Sequence, residues 1–304
     1  MKAVFKHWII RFWLIFALPF CAVQAQAGAT IEMPGFGELQ LEGVPQRIVA
    51  LEYPFVDALA TLGVKPVGVA DDNAPERLLP EIRASIGGWQ SVGTRAQPSL
   101  ETIAALKPDL IIADIDRHGA VYAQLQKIAP TLILPSRRAS YAETLNSELV
   151  ISRALGKEQQ MQTRLEAHQQ TMEKFATQLP QQTEIQFAVA TPKNLYAHAP
   201  DSFIGGLIRT LGLSVPSINR SDSDEVRQIG LEQLLAFNPP HLVVGRYNDA
   251  NLLQQWQKQP LWQLLSAVQN NHVYPVDANI WVRGPGILAA EQMAADLVSL
   301  LGQG

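Results

Sequence analysis

A stretch of 22 residues near the middle of the chain, 157–178, contains neither glycine nor proline and divides the sequence into two parts. Its larger apolar side chains recur every three or four residues, which is the period of one face of an α-helix. At 1.5 Å per residue such a helix reaches about 33 Å, the width of a small domain. We predict that residues 157–179 form a helix between two lobes, 28–156 and 180–304.

Short apolar runs alternate with helical segments on both sides of this helix. The predicted strands lie at 45–51, 67–69, 110–113, 131–134, 185–189, 242–245 and 273–276. Regular alternation of strand and helix favours parallel sheets covered by helices. We therefore predict an α/β fold of two parallel-sheet lobes joined by one long helix.

A unit of helix, proline and strand occurs once in each half of the chain. It starts at Leu100–Glu101 in the first half and at Leu231–Glu232 in the second half, 131 residues later. An alanine, a proline and an apolar strand follow in each copy. Together with the central helix, this repeat predicts two similar lobes that face each other across a cleft.

The first 27 residues differ in composition from the rest. Three basic residues precede a short apolar stretch, and Ala25 and Ala27 place small residues at the −3 and −1 positions of a cleavage site. This pattern is typical of a secretory signal peptide, so we predict cleavage after Ala27 and export; a retained amphipathic anchor is the alternative. The sole cysteine, Cys21, lies within this segment. The mature protein would therefore contain no thiol.

The charge balance excludes a general nucleic-acid partner. The chain has 24 basic and 28 acidic residues, a net charge of −4. Processing after Ala27 would leave 21 basic and 28 acidic residues, a net charge of −7. Binding to phosphate backbones requires a clustered surplus of lysine and arginine, which this balance does not provide.

Arginines follow several of the predicted strands. They are Arg95, Arg117, Arg137, Arg138, Arg246 and Arg283. Ligands of open parallel sheets bind beyond the carboxyl ends of the strands, and a guanidinium group presents a fork of donors that matches carboxylate or phosphate oxygens. The sequence therefore predicts a cleft for a multiply charged anion, although some of these arginines could be solvated loop residues.

Other side chains near the strand ends are weaker candidates for residues of the cleft. Tyr53, Tyr196 and Trp281 could form walls of the cleft, and Ser202 either caps a helix or helps to direct amides at an anion. The carboxylates near the strand ends are explained adequately by caps and solvated loops; these are Glu52, Asp57, Asp71, Asp72 and Asp114.

Motifs for metal or enzyme chemistry are missing from the sequence. The histidines have no metal-binding spacing, and there is no glycine-rich phosphate loop and no G-x-S-x-G or H-E-x-x-H motif. We predict no metal ligands, no cofactor and no catalytic residues. An exported enzyme that uses a cleft carboxylate as a general base is the alternative.

Three segments carry a family resemblance: 45–52 (PQRIVALE), 92–95 (VGTR) and 98–112, which contains PSLE and LKPDLII. They resemble the periplasmic iron-chelate binding proteins of ABC importers, in particular the receptors for ferric citrate. The likeness spans nearly the whole mature chain. It implies a monomeric periplasmic receptor, not an enzyme, whose long helix limits closure of the lobes to a small motion.

The resemblance also implies a ligand and a set of site residues. The ligand would be an anionic ferric citrate, with the iron held by citrate alone; another iron chelate or anionic siderophore is the alternative. Arg95 would be an anion ligand in the first lobe, and the other cleft residues would be Arg117, His118, Trp281 and Arg283.

The partner implied by the resemblance is the permease dimer of an inner-membrane ABC importer. In the family, an exposed glutamate on each lobe docks onto arginines of the permease, and the matching positions here are Glu101 and Glu232. The alternative is that both are ordinary first-turn glutamates, which the helix dipole favours.

Overall fold

The structure is a computed structural model, and it describes residues 28–217, 225–248 and 251–302. The predicted signal peptide, residues 1–27, lies outside the described residues. Within the described parts of the chain, none of the helices combines the length and the apolar character that crossing a membrane requires.

The first lobe contains a hairpin and a parallel sheet. Its strands are, in chain order, β1 (Thr30–Met33), β2 (Gly37–Gln40), β3 (Ile48–Ala50), β4 (Gly68–Val69), β5 (Gln90–Ser91), β6 (Leu110–Asp114) and β7 (Thr131–Leu134). Strands β1 and β2 pair antiparallel, whereas the other five form a parallel sheet in the order β5–β4–β3–β6–β7. The central strands β3 and β6 are buried throughout, as expected for a sheet covered on both faces.

Helices connect these strands. They are α1 (Tyr53–Thr61), α2 (Pro80–Ile86), α3 (Leu100–Ala105), α4 (Ile115–His118), α5 (Tyr122–Leu125) and α6 (Tyr141–Ala154). The Ser99 hydroxyl accepts a hydrogen bond from the Thr102 N–H and so caps α3. After α1 the chain turns at Gly63, whose φ of +66° lies in the left-handed region, where glycine has no steric penalty.

A long helix, α7 (Glu158–Ala176), leads from the first lobe to the second. Its 19 residues span about 28 Å, and its buried side chains are Met161, His168 and Met172. The predicted fold of two α/β lobes joined by a long helix is thereby confirmed.

The second lobe contains a mixed sheet. Its strands are β8 (Ile185–Ala190), β9 (Leu195–His198), β10 (Val226–Ile229), β11 (His241–Arg246) and β12 (Val273–Asp277), in the order β10–β9–β8–β11–β12. Strands β8, β11 and β12 are parallel, whereas β9 and β10 run antiparallel to their neighbours. The sheet differs in these two strands from the parallel one predicted. Only residues 191–194 separate β8 from β9, and a parallel pair needs a crossover of a dozen or more residues.

The helices of the second half are α8 (Phe203–Thr210), α9 (Leu231–Phe237), α10 (Leu253–Trp256), α11 (Ser266–Gln269) and α12 (Ile287–Leu301). A π-helical turn, Asn279–Arg283, precedes α12. Both copies of the repeated unit are present, since α3 leads into β6 and α9 leads into β11.

The last helix returns to the first lobe. Helix α12 packs against α7 and α1, and two buried carboxylates of the first lobe bind the free N–H groups at its start. Asp57 accepts hydrogen bonds from Leu288 and Ala289, both at 3.2 Å, and Glu148 accepts one from Ile287 at 3.0 Å. The two lobes are therefore connected by α12 as well as by α7.

A second polar cluster fixes α12 to α6 and α7. The Tyr141 hydroxyl lies 2.5 Å from His168 Nε2, and His168 Nδ1 lies 2.8 Å from the Glu291 carboxylate. Arg164 donates two hydrogen bonds to the same carboxylate, each 2.8 Å long. Tyr141 lies on α6, Arg164 and His168 lie on α7, and Glu291 lies on α12. The hydrogen bonds therefore stiffen the connection between the lobes by joining three helices.

Gly286→Ala should destabilise the protein. A Cβ at this position would lie 2.4–2.6 Å from side-chain atoms of Asp57, which is buried and held by the start of α12. Overpacking of this kind costs about 1–3 kcal/mol, measurable as a loss in the free energy of unfolding in urea. In the control Gly43→Ala, the Cβ would have no atom within 4 Å, so the change should stay below about 0.5 kcal/mol. Equal stabilities of the two variants would contradict the contact between α12 and Asp57.

Candidate functional site

Segments that follow the strands of both sheets meet at the boundary between the lobes. Arg95, after β5, donates a hydrogen bond of 3.0 Å to the backbone carbonyl of Arg283, after β12. Arg283 in turn reaches Asp72, after β4, at 3.4 Å. This meeting of strand ends from two sheets is where a ligand of such a fold is expected.

Asp72 lies at the centre of a cluster of arginines, which we call the Asp72 site. Its Oδ2 atom accepts from Arg95 Nη2 at 3.0 Å, and from Arg77 Nη1 and Arg283 Nη1 at 3.4 Å each. Oδ1 accepts from the backbone N–H of Arg95 at 2.9 Å. Burial alone would raise the pKa of Asp72, but the hydrogen bonds from Arg95 and the charges of Arg95 and Arg283 lower it. The carboxylate is therefore ionised and shared by three guanidinium groups.

The loop that carries Asp72 has an uncommon backbone conformation. Asp72 and Asn73 have φ angles of +59° and +52°, and a left-handed conformation costs a residue with a Cβ about 1–2 kcal/mol. The preceding Asp71 supports the loop, because its carboxylate accepts hydrogen bonds from the Asn73 N–H, the Ser91 hydroxyl and the Trp89 indole. The surrounding contacts thus fix the position of the Asp72 carboxylate.

A second carboxylate, Glu52, lies behind the Asp72 site. It is 2% exposed and forms ion pairs with Arg95 at 3.4 Å and with Arg117 at 2.6 Å. Burial raises the pKa of Glu52 to about 7, and the two arginines only partly offset this effect. Four arginines and two carboxylates therefore make up the network at the boundary.

Arg95 is the most engaged of these arginines. Its Nε and Nη2 atoms donate to Asp72, and its Nη1 atom donates to Glu52 and to the Arg283 carbonyl. Its guanidinium also lies 4.3 Å from the ring centroid of Tyr53. With these partners and an exposure of only 8%, Arg95 lies inside the network in this structure and not on a free surface.

His118 contacts the backbone on which Arg95 and Asp114 are carried. Its Nδ1 accepts from the Asp114 N–H at 2.9 Å, and its Nε2 lies 2.8 Å from the Arg95 carbonyl. Burial lowers its pKa, and the two backbone partners define a neutral ring with the proton on Nε2. Both ring nitrogens are engaged within the protein, so the position of His118 favours a role in holding the Arg95 loop over direct contact with a ligand.

Three possible metal ligands lie together in the described part of the chain. Atoms of Glu52, Asp114 and His118 lie within 4.8 Å of one another. Glu52 and His118 have the partners given above, and Asp114 accepts hydrogen bonds from the N–H groups of Arg117 and Arg137 at 2.8 and 3.0 Å. These groups therefore stabilise the loops at the strand ends by contacts within the protein.

A cavity of about 290 Å³ opens between the lobes, and we call it the inter-lobe cavity. The first lobe contributes Arg137, among others, while most of the lining comes from the second lobe. The lining includes Arg137, Tyr196, His198, Ser202, Glu225, Tyr247 and Trp281. Four of the residues predicted from the sequence, Arg137, Tyr196, Ser202 and Trp281, are thus brought together here.

The predicted residues of the second lobe are fixed by contacts of their own. Trp281 stacks on Phe187 with ring centroids 5.2 Å apart, and its indole donates to Asp296 at 2.9 Å. The Ser202 hydroxyl accepts from the Gly205 N–H at 3.0 Å, so Ser202 caps α8. Trp281 and Ser202 are therefore fixed parts of the wall of the inter-lobe cavity. The chief role of Ser202 is to cap α8.

A second cavity, of about 460 Å³, lies beside Tyr247; we call it the outer cavity. Arg77 of the first lobe and Tyr247, Asp277 and Arg283 of the second are among its lining residues. The Arg283 guanidinium lies 4.5 Å from the ring centroid of Tyr247. Because Tyr247 lines both cavities, the two cavities adjoin at this residue.

Several residues of the site were missed from the sequence. Asp72 was explained by a cap or a solvated loop, yet the structure places it among three arginines. Its position just beyond the end of a short strand was a usable signal. Tyr247, His198 and Glu225 were not singled out; burial lowers the pKa of His198 to about 4 and raises that of Glu225 to about 7. By contrast, the predicted strand-end residue Arg246 lines a pocket within the second lobe.

The two predicted docking residues lie outside both cavities. Glu101 is exposed in the first turn of α3, and Glu232 is exposed in the first turn of α9. They occupy corresponding positions of the repeated unit, one on each lobe.

Comparison with known proteins gives consistent matches over most of the chain. Residues 48–280 match the sequence model of a family described as periplasmic binding protein. The chain is 50% identical over 264 residues to the Fe(3+) dicitrate-binding periplasmic protein FecB of Escherichia coli (strain K12), covering 87% of each protein. It is 38% identical over 264 residues to the Fe(3+)-citrate-binding protein YfmC of Bacillus subtilis (strain 168), covering 86% of this chain and 82% of that relative.

A solved structure has the same fold. The crystal structure of Staphylococcus aureus SirA complexed with staphyloferrin B matches with a TM-score of 0.77. The alignment covers 90% of this chain and 98% of SirA at 24% sequence identity. At that identity the match concerns the architecture of the two lobes.

Glu52→Gln should remove part of the pH dependence of stability. Folding raises the pKa of Glu52 from 4.5 to about 7, so over this range the folded protein holds a proton that the unfolded chain releases. The stability contributed by this proton is fully present below pH 4.5 and is lost as the pH rises through about 7. Urea unfolding at a series of pH values should show wild type losing its advantage over Glu52→Gln across this range. A stability difference that is independent of pH would contradict the buried, protonatable state of Glu52.

Proposed function

Because the chain belongs to the periplasmic binding protein family, we propose that it captures anionic ferric citrate and delivers it to an inner-membrane ABC importer. The observation that carries this proposal is the network of four arginines at the boundary between two lobes. The identity of 50% to a protein named as Fe(3+) dicitrate-binding supports the choice of ligand.

The charge of the ligand explains why arginines line the site. Citrate carboxylates that coordinate iron keep outer oxygens with negative charge, which guanidinium groups bind through paired N–H donors. Arg137 in the inter-lobe cavity, with Arg77 and Arg283 in the outer cavity, offers such donors. Each unit pair at 4 Å gains about 4 kcal/mol at an effective dielectric near 20, before desolvation. A neutral chelate would gain none of this energy.

Iron is the cargo, and citrate supplies its coordination in this proposal. The described carboxylate and histidine groups that come close together, at Glu52, Asp114 and His118, are engaged by arginines and backbone N–H or C=O groups. A chelate that keeps all its own oxygen ligands needs only its outer surface to be recognised. The protein then binds as a monomer, without a resident metal or cofactor.

Another iron chelate or anionic siderophore is the alternative ligand, since a site for multiply charged anions also suits other carboxylate chelates.

The proposed function, capture and delivery of a chelate, contains no catalytic step. The relatives are named as binding proteins, and the carboxylates at the boundary do not favour general-base chemistry. Glu52 is almost fully buried, and Asp72 is surrounded by three arginines.

Delivery requires a surface that the importer can recognise. The exposed carboxylates of Glu101 and Glu232 lie on different lobes at matching positions of the repeated unit. Two equivalent acidic groups suit a permease dimer, so each glutamate docks onto basic residues of one permease subunit. The protein works in the periplasm after cleavage of residues 1–27.

Calorimetric titration of the mature chain tests the ligand. Ferric citrate should bind with an affinity that falls as salt is added, and a neutral ferric hydroxamate should not bind. Arg137→Gln should weaken ferric citrate binding about tenfold, because a hydrogen bond to a charged group contributes about 1.5–3 kcal/mol. The matched control is Arg153→Gln, which removes an exposed arginine that pairs with Glu158 on the surface and lines neither cavity; its affinity should be unchanged. Binding of the hydroxamate alone would contradict the proposal.

Transport assays test the docking residues. The double variant Glu101→Ala/Glu232→Ala should abolish uptake of ferric citrate while its affinity for the chelate stays at the wild-type value. The matched control is Glu81→Ala/Glu166→Ala, which removes two exposed glutamates from other helix surfaces and should leave uptake unchanged. An equal loss of ligand affinity in the first double variant would show that these residues do not act in docking.

A further inference from the structure

The Asp72 site has the form of a binding site for a carboxylate, and a carboxylate of the protein itself occupies it. Three guanidinium groups from both lobes converge on one oxygen of Asp72, at 3.0–3.4 Å. A carboxylate of an anionic chelate needs the same donors. The Asp72 site therefore already presents the three donors that a ligand carboxylate would need.

The contacts of Asp72 fall into two groups. Arg95 holds it with a backbone N–H at 2.9 Å and with side-chain donors at 3.0 and 3.2 Å. Arg77 and Arg283 are each 3.4 Å away, at the long limit of a hydrogen bond. The first group fixes the carboxylate in its loop, whereas the second can be given up at lower cost.

The weakly bound arginines are also the accessible ones. The side chains of Arg77 and Arg283 are 34% and 21% exposed, and both line the outer cavity. Arg95 is buried beneath them. An anion that enters from the outer cavity therefore meets Arg77 and Arg283 first.

Arg283 keeps its position without Asp72. Its Nε donates to Asn279 Oδ1 at 3.0 Å within the π-helical turn, and its guanidinium stacks on Tyr247. The donor that an incoming carboxylate would need is thus held in place by the second lobe alone.

We propose that Asp72 is a placeholder carboxylate, which a carboxylate of ferric citrate displaces from Arg77 and Arg283 on binding. This inference rests on the proposed function and adds a residue that sets the affinity of the site. Asp72 neutralises the arginines while the cleft is free of ligand and stays bound to Arg95 throughout. Every anion must compete with it, so weakly charged anions are rejected.

Two substitutions at Asp72 suit the local backbone. Asparagine and glycine both tolerate the left-handed conformation found there. Asp72→Asn removes the competing charge with little change of shape and keeps an amide oxygen that can accept from the Arg95 N–H. Asp72→Gly removes the side chain and the backbone strain. Thermal unfolding of both variants verifies that they are folded before affinity is compared.

The test is the dissociation constant for ferric citrate, measured by calorimetry in one buffer for wild type, Asp72→Asn, Asp72→Gly and the control Glu81→Gln. We expect both Asp72 variants to bind about tenfold more tightly. Glu81→Gln removes one exposed negative charge from the same lobe and should change the constant less than about twofold. In addition, Arg283→Gln should weaken binding more in the Asp72→Asn background than in wild type, because in that background ligand binding does not break an ion pair between Arg283 and Asp72.

The possible results distinguish a failure of the placeholder from a failure of the proposed function. If wild type binds ferric citrate and both Asp72 variants bind equally or more weakly, the placeholder is wrong while the proposed function stands. If wild type does not bind ferric citrate, the proposed function fails and the placeholder fails with it. An equal tightening by Glu81→Gln would also overturn the placeholder, because the effect would then be one of net charge.

Discussion

One ionised carboxylate, that of Asp72, lies among three guanidinium groups at the boundary between the lobes. Burying charged groups is costly unless they are paired and hydrogen-bonded, and here each lobe supplies part of the pairing. Asp72 and Arg95 come from the first lobe, and Arg283 comes from the second. The left-handed Asp72 loop, the neutral His118 and the buried Glu52 all serve to keep these charges in position.

The way the lobes are joined suits such a fixed network. Helix α7 connects them on one side, and α12 returns from the second lobe to be capped by Asp57 and Glu148 of the first. With two connections of this kind, a large hinge opening would break buried hydrogen bonds. The arrangement fits a receptor whose lobes move little, with ligand exchange governed by side chains at the strand ends.

The sequence predicted most of the fold because the fold follows local patterns. Strand and helix alternation, the segment without glycine or proline, and Ser99 before an apolar helix are all readable along the chain. Strands β9 and β10 were not predicted, and with them the antiparallel pairing of β9 with both of its neighbours was missed.

The site was predicted in part for a similar reason. Arginines at strand ends and the residues Tyr196, Ser202 and Trp281 were identified, and the last three line one cavity with Arg137. The acidic partners of Arg95 and Arg283 were not identified. Glu52 is 43 residues from Arg95 along the chain, and Asp72 is 211 residues from Arg283. Pairing over such separations depends on how the two sheets meet, which no local pattern encodes.

The central claim is that the protein recognises the charge of the chelate and leaves the metal to citrate. X-ray absorption at the iron edge, recorded on the mature protein loaded with ferric citrate, tests it most directly. We expect a first shell of oxygen atoms identical to that of the free chelate. The outer-shell scattering of a histidine imidazole bound to the iron would show that a side chain coordinates the metal and would contradict the account.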